Sequence, residues 1–549
     1  MVMSLRASVL LKLEASADRP QISVLGRRGQ ATHYTGSQLL HEAEHCLKQW
    51  ADWFGPGPYV LVAALPAGEA FLFTLLASLI GESTLVPIAQ PRANDPPGSL
   101  RHRVESCGAT ALLCTSAQRE GIETQLRTAQ GTLACPVVAV DAPNPTIAAI
   151  VRPRSPAVPI IQHTSGSTRF PKAVPIHAAQ IHANCAMIQR LWGMDERTVM
   201  LNWLPHYHDM GLMGCILYPL LSGARSIQMS PFEMIRNPLS WLRAISDHRA
   251  TFSGGPTFAF QECLTRVAEA DCTDLDLSSW QRAFCGAEPV PAGLLERFRQ
   301  RFGKHGLAAE AVFACYGMAE FTLFAAGEPG RHSALPASLA DGATVEPCLL
   351  SIETRQGIRI TDPRTGAALS DGESGEIWLK GASASEEYLG LPAETSQTFG
   401  NEADGARWMR TGDLGVIQGN WLSVTGRQKD IIIVNGRKIA AAEIEWLAAQ
   451  QDPALNPMAA AAFMPPGAAS GQAVLFIELR TGQPPRDDSA ALIDRIRRAV
   501  AGAWSIELMD IRVLARGTLA RTSSGKVRRQ QIATTYLDIA PHRPEESVE

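Results

Sequence analysis

The segment Thr164-Ser165-Gly166-Ser167-Thr168-Arg169-Phe170-Pro171-Lys172 combines the residue types that can hold a polyphosphate. Small residues let successive backbone N–H groups point at one anion, while hydroxyls and a lysine add donors. The pattern predicts a bound nucleoside triphosphate, yet no G-x-x-x-x-G-K-[ST] occurs anywhere in the chain. Taken alone, the segment also suits a polar surface turn. The rest of the chain must decide between the two.

Further segments follow in order: Ala283-Phe284-Cys285-Gly286-Ala287-Glu288-Pro289, Cys315-Tyr316-Gly317-Met318-Ala319-Glu320, Arg410-Thr411-Gly412-Asp413-Leu414, Val424-Thr425-Gly426-Arg427-Gln428-Lys429-Asp430 and Arg521-Thr522-Ser523-Ser524-Gly525-Lys526-Val527-Arg528. With these six motifs, from about residue 30 to 535, the chain resembles the adenylate-forming superfamily of acyl-CoA ligases, adenylation domains and luciferases. The resemblance implies a carboxylate joined to the α-phosphate of ATP, with pyrophosphate expelled. Such a site must hold two anions together and screen their repulsion.

The resemblance assigns a role to each motif. Thr164, Ser165, Gly166, Ser167, Thr168 and Lys172 would hold the β- and γ-phosphates. Glu320 would carry Mg²⁺, for which a hard oxygen ligand is suited. Tyr316 would stack on adenine, with Gly286, Ala287 and Glu288 opposite and Gly317 and Met318 beside it. Asp413 would accept hydrogen bonds from both ribose hydroxyls, and Arg427 would support the sugar or a phosphate. Lys526 would be the catalytic cation that bridges carboxylate and α-phosphate oxygens. Lys429 would be the hinge of a mobile C-terminal domain.

Trp203-Leu204-Pro205-His206-Tyr207-His208-Asp209-Met210-Gly211-Leu212 resembles the fatty acyl-AMP ligase branch, as do Ser253 to Phe260, Gly286 to Val290 and Arg169. His208 would then lie near the acyl carboxylate. In that branch the acyl group passes to the phosphopantetheine thiol of an acyl carrier protein. No Asp-Ser-Leu carrier site occurs in this chain, so the acceptor would be a separate chain. Other features favour an acyl-CoA ligase that uses coenzyme A: Lys172 itself, a short stretch from Phe324 to Ile358, and Asn435 to Glu445.

The elements that must position these residues can also be read. Short apolar runs at Val60 to Ala64, Ala111 to Cys114, Val137 to Val140 and Ala311 to Phe313 alternate with helical patterns and predict α/β layers with largely parallel strands. From about 350 the texture changes to short strands with Asp/Gly/Pro turns. The expected fold class is α/β: a large N-terminal domain, 1–428, of layered α/β subdomains with a small β subdomain at about 345–428, then a mobile α/β domain, 429–549. Tyr59 to Gly81 is mostly apolar, but Pro66, Gly68 and Glu69 break it into a buried strand and a buried helix rather than a membrane span.

Composition sets the outer limits. The chain has 549 residues, 46% apolar and 19% charged, which suits a multidomain globular protein. A net charge of −4 without a basic stripe argues against a nucleic-acid partner. Eleven scattered cysteines with no C-x-x-C, and no signal-like leader, suit a reduced, cytoplasmic protein. His41-Glu42-Ala43-Glu44-His45 spells H-E-x-x-H and raises a zinc site. However, Leu39, Leu40, Ala43, Leu47 and Trp50 give the same helix an apolar face, the pattern of a packing helix.

Overall fold

The computed structural model describes residues 3–26, 30–92, 95–128, 131–142, 158–164, 170–330, 345–403, 405–434, 437–465, 468, 471–480, 485, 488–521 and 526–539. Ser165, Gly166, Ser167, Thr168 and Arg169 lie outside these residues, as do 522–525 and the tail from 540. The chain forms two compact units. The first comprises Met1–Gly166, Phe170–Thr411 and Val416–Val424; the second includes Gly412–Gly415 and Thr425–Glu549.

The first unit contains two α/β sheets. One has seven strands in the order Val312–Ala314, Arg282–Cys285, Phe252–Gly255, Val199–Asn202, Arg225–Gln228, Pro20–Leu25 and Ala31–Thr35. Its pairs are parallel except the last, where Ala31–Thr35 runs antiparallel at the edge. The other has six strands in the order Val137–Ala139, Ala111–Cys114, Val60–Ala63, Thr84–Pro87, Ile160–His163 and Ala173–Ile176. Only its last pair is antiparallel, a hairpin with His163 opposite Ala173. The expected parallel strands are present, with bounds that differ by a residue at some ends.

Burial on both faces explains why these strands read as continuous apolar runs. All four positions of Val60–Ala63 and of Ala111–Cys114 are buried. The helix Glu69–Ile80 is also buried nearly all round, which accounts for its hydropathy. Among the described residues, no helix is long and apolar enough to cross a membrane. The H-E-x-x-H segment lies on the helix Gly36–Phe54, which buries Leu39, Ala43 and Trp50. His41 and His45 are on its exposed side.

A mainly antiparallel sheet follows, in the order Cys348–Leu349, Trp421–Arg427, Ala406–Gln418, Ser374–Leu379 and Ile358–Thr361, with Asn401–Ala403 paired onto the long Ala406–Gln418 strand. The second unit has a three-stranded sheet, Leu455–Phe463, Gln472–Leu479 and Glu507–Leu514, and a two-stranded ribbon, Ile431–Val434 with Arg437–Ala440. Helices Ala441–Ala449 and Ser489–Trp504 add Ile444, Ala448, Leu492, Ile496 and Val500 to that unit's own core.

One charged cluster ties the second unit together. Arg529, first residue of the helix Arg529–Ile539, grips Glu445 through Nε and Nη2, each at 2.6 Å. Its Nη1 reaches Asp430 at 3.1 Å. Glu445 also accepts the Ala462 N–H at 2.8 Å and is buried. Removing one member of such a pair leaves a buried charge without its counter-ion. Arg529→Met should therefore lower the stability of this unit by about 3 kcal/mol, and Arg529→Met with Glu445→Leu by clearly less. Hydrogen exchange resolved to residues 430–539 would check both.

Candidate active site

The expected site residues fall into two sets, one in each unit. Thr164, Lys172, His208, Gly286, Ala287, Glu288, Tyr316, Gly317, Met318 and Glu320 belong to the first unit, and Asp413, Arg427, Lys429 and Lys526 to the second.

The polar loop is the connection of the hairpin Ile160–His163/Ala173–Ile176, and its neck is closed by the Thr164 N–H on the Lys172 carbonyl at 2.9 Å. The helix Ser99–Ser106 props that neck. The His102 ring stacks on Phe170 with centroids 4.9 Å apart, and its Nε2 lies 3.2 Å from the Pro171 carbonyl. Ser106 Oγ lies 3.4 Å from His163 Nε2. Burial, reinforced by Arg103 and His102, pushes the His163 imidazole down to about 3, so it stays neutral at the neck.

The ends of Arg282–Cys285 and Val312–Ala314 lie side by side and lead into the Gly286 and Tyr316 segments. Gly286 donates to the Gly255 carbonyl at 3.2 Å, and a Cβ there would meet the Cys315 carbonyl at 2.5 Å. Ala287 has φ 74°, a left-handed conformation unusual for a residue with a side chain. The Glu288 carboxylate accepts from the Thr257 hydroxyl. Tyr316 is buried, with its hydroxyl 3.9 Å from Met318 Sδ. Burial pushes the neighbouring Cys315 thiol up to about 12, which removes it as a nucleophile.

Glu320 sits on a single turn, Ala319–Phe321, followed by a γ-turn at Thr322. The Leu323 N–H bonds to the Phe321 carbonyl at 2.8 Å around Thr322, whose φ is 66°. A β-branched residue with that φ is strained and must be held. The Thr322 hydroxyl donates to the Ser383 carbonyl at 2.7 Å, and Asn184 donates to the carbonyls of Phe321 and Phe324. The Glu320 carboxylate accepts from the Tyr388 hydroxyl at 3.0 Å. The Lys172 ammonium lies over the same Tyr388 ring, 4.3 Å from its centroid. Lys172 and Glu320, distant in sequence, are thus gathered around one tyrosine.

His208 precedes a π-helical segment, Met210–Leu217. Its Nδ1 is 2.6 Å from Asp209 Oδ1, and the Asp209 carboxylate also accepts the Met210 N–H. π-Helical turns are uncommon and occur often at functional sites. Gly211 allows this one, because a Cβ there would meet the Pro205 carbonyl at 2.3 Å. His206, two residues earlier, is buried against Phe71 and accepts the Gly68 N–H at 3.4 Å.

In the second unit, Arg427 Nε is 3.2 Å from Asp413 Oδ1 and Asp413 is buried. Gly412, just before it within the strand Ala406–Gln418, has φ 71°, a left-handed conformation that glycine adopts readily. Lys429 lies in the single turn Gln428–Asp430. Lys526 is half-buried and directly precedes the bridge that pairs Val527 with Arg521.

Asn184, Thr322, Ser383, Ser385 and Tyr388 were not anticipated from the sequence. For Asn184 a signal exists: on the helix Ala178–Trp192 it falls in the stripe Ile181, Asn184, Cys185, Ile188 and Trp192, a polar residue at an apolar position. Tyr388 offers none, because its partners lie 68 and 216 residues away.

The architecture is that of a two-unit α/β enzyme, and comparison with known proteins gives the class. The AMP-binding enzyme profile matches residues 16–389. The chain belongs to that family. It is 34% identical to a medium-chain-fatty-acid–[acyl-carrier-protein] ligase of Teredinibacter turnerae, over 70% of this chain and 64% of that protein. It is 30% identical to a long-chain-fatty-acid–AMP ligase of Mycolicibacterium smegmatis, over 88% of this chain and 85% of that one. A solved structure from work on fatty acyl-adenylate ligases of E. coli and L. pneumophila superposes with a TM-score of 0.82 at 26% identity, covering 98% of both chains.

His206 makes folding sensitive to acid. Burial pushes its imidazole down to about 4, with Gln228 opposing. The unfolded chain binds this proton near pH 6.5 and the native state does not until about pH 4. Stability is therefore full above pH 6.5 and falls as the pH drops toward 4, by up to about 3 kcal/mol from this residue. His163 acts in the same direction. Thermal melts from pH 8 to 4 should show a plateau and then a fall, and His206→Phe should make the acid limb shallower.

Proposed function

We propose that the protein activates a fatty acid with ATP, releasing pyrophosphate and forming an acyl-adenylate, and then transfers the acyl group to the phosphopantetheine thiol of a separate acyl carrier protein. The observation that carries this reading is the grouping of Lys172 and Glu320 around Tyr388, in a chain of the AMP-binding family. The relatives named above as acyl-carrier-protein and AMP ligases support the substrate and acceptor.

Mg²⁺ fits this donor set. Among the described residues, no group of three or more His, Cys, Asp or Glu could hold a metal by itself. One carboxylate such as Glu320, completed by phosphate oxygens of the nucleotide, is the usual arrangement for this ion. The ion would neutralise polyphosphate charge. Lys172, with the loop from Thr164 to Thr168, binds and orients the phosphates. Tyr316, with Gly286, Ala287, Glu288, Gly317 and Met318, takes the adenine. Asp413 orients the ribose and Arg427 fixes Asp413 by the ion pair already described.

His208 positions the acyl carboxylate, and its ring is oriented by Asp209. Lys526 provides the cation that stabilises charge on the carboxylate and α-phosphate oxygens as the C–O–P linkage forms. A change of orientation of the C-terminal domain about Lys429 brings Lys526 in for adenylation and withdraws it for thiol transfer. This assigns residues 1–428 to substrate binding and 429–549 to the moving part. A protein with reduced cysteines and no span-length apolar helix among its described residues suits the cytoplasm, where ATP and acyl carriers are available.

Two measurements test this. Lys526→Ala should lower ATP–pyrophosphate exchange by at least about 100-fold, while thiol transfer from added acyl-adenylate changes less than about three-fold. Equal loss of both half-reactions would refute the role of Lys526. Mass spectrometry of products from ATP, Mg²⁺ and a panel of fatty acids should show carrier loading exceeding acyl-CoA formation. Abundant acyl-CoA with an unloaded carrier would make coenzyme A the acceptor.

A further inference from the structure

The stretch Gly381 to Leu391 has no regular secondary structure, yet Ser383, Ser385 and Tyr388 are buried. Its bonds run in two directions. Toward the Glu320 turn, the Ser383 carbonyl accepts from Thr322 Oγ1 and the Ser385 N–H donates to the Glu320 carbonyl at 2.8 Å. Toward the strand that follows Lys172, Ser385 Oγ donates to the Pro175 carbonyl at 3.0 Å and the Leu389 N–H to the Ala173 carbonyl at 3.0 Å. The stretch is therefore a clip between the two segments that carry Lys172 and Glu320.

Tyr388 is the side chain at the centre of the clip. Its own place is fixed on the opposite side. The Tyr388 N–H bonds to Thr395 Oγ1 at 2.9 Å, that hydroxyl returns to the Tyr388 carbonyl at 3.3 Å, and the ring packs against Phe399 at 5.1 Å. A ring locked in this way can hold two charges without spending its own freedom. Its hydroxyl donates to one Glu320 oxygen and fixes the carboxylate rotamer. A carboxylate has about four acceptor sites, so accepting this bond is compatible with serving as an oxygen ligand. The ring face attracts the Lys172 ammonium through the aromatic quadrupole.

We propose that Tyr388 is a positioning residue that sets the Glu320 carboxylate for a divalent cation and the Lys172 ammonium for the nucleotide polyphosphate, through the hydroxyl and the ring face respectively. This rests on the metal and phosphate roles given under Proposed function. The two contacts are separable: Tyr388→Phe deletes the hydroxyl and keeps both the ring face and the packing on Phe399, whereas Tyr388→Leu deletes both.

Mn²⁺ in place of Mg²⁺ gives a readout independent of turnover. Electron paramagnetic resonance would titrate Mn²⁺ into the protein with α,β-methylene-ATP, and calorimetry would follow the same nucleotide in EDTA. Tyr388→Phe should weaken Mn²⁺ binding about ten-fold, the loss of one hydrogen bond to a charged group, and leave metal-free nucleotide affinity within about two-fold. Tyr388→Leu should weaken both. Glu320→Gln is the control. If Glu320→Gln weakens Mn²⁺ binding and a folded Tyr388→Phe does not, the hydroxyl has no positioning role and the inference is overturned. If Glu320→Gln also binds Mn²⁺ normally, the metal role of Glu320 falls and takes the inference with it.

Discussion

The candidate site in the first unit depends on a constraint that no motif expresses: the backbone from Met318 to Leu323 is buried or half-buried, and it contains only the single turn Ala319–Phe321 before the strand that starts at Phe324. Its polar groups must find partners outside regular secondary structure or pay several kcal/mol of desolvation. Asn184 supplies much of the answer. Its amide accepts from the Tyr218 hydroxyl and the Phe324 N–H, each at 3.0 Å, and donates to the Phe321 and Phe324 carbonyls. All four of its hydrogen-bonding positions are used, and the residue is fully buried. Fully satisfied buried networks of this kind rigidify what they touch. Here they touch the turn that carries Glu320.

The same constraint explains the wording of the motif. Gly317 is required because a Cβ would meet the Leu323 carbonyl at 1.7 Å, where the chain folds back to let Met318 bond to that carbonyl. The γ-turn at Thr322 then points the chain toward Phe324–Ala326, which pairs with Tyr316–Gly317. The left-handed Ala287 lies in the neighbouring motif. Strain at two residues with side chains, in adjacent candidate nucleotide segments, is what a site shaped for function rather than stability would show.

Much of this fold was legible in the sequence. The parallel strands read as apolar runs because both faces are covered, and the helix Glu69–Ile80 read as buried because it has no polar side. The motifs pointed to candidate segments, and two of them, at Ala287 and beside Glu320, fall where the backbone leaves regular structure. What supports those segments was not legible. Asn184 bonds across 34 to 140 residues, and Tyr388 meets Lys172 and Glu320 from a loop with no periodicity. A hydrogen bond between distant loops leaves no pattern in spacing, so only the polar residue within an apolar helical stripe could have hinted at it.

The second unit solves a different problem. The reaction proposed above needs a cation present in one half-reaction and absent in the other, and a lysine on a flexible stem suits that better than a fixed arginine. Such a residue still needs a rigid base, or its arrival would cost the entropy of ordering its whole segment. Arg529 provides that base three residues beyond Lys526. Its bonds to Glu445 and Asp430 anchor the start of the final helix to the beginning of the unit, next to Lys429. The lysines proposed as hinge and as catalytic cation thus lie beside the two ends of the same charged cluster, Asp430 and Arg529. In the proposed rotation about Lys429, this cluster would tie the start of the helix that follows Lys526 to the segment that follows Lys429.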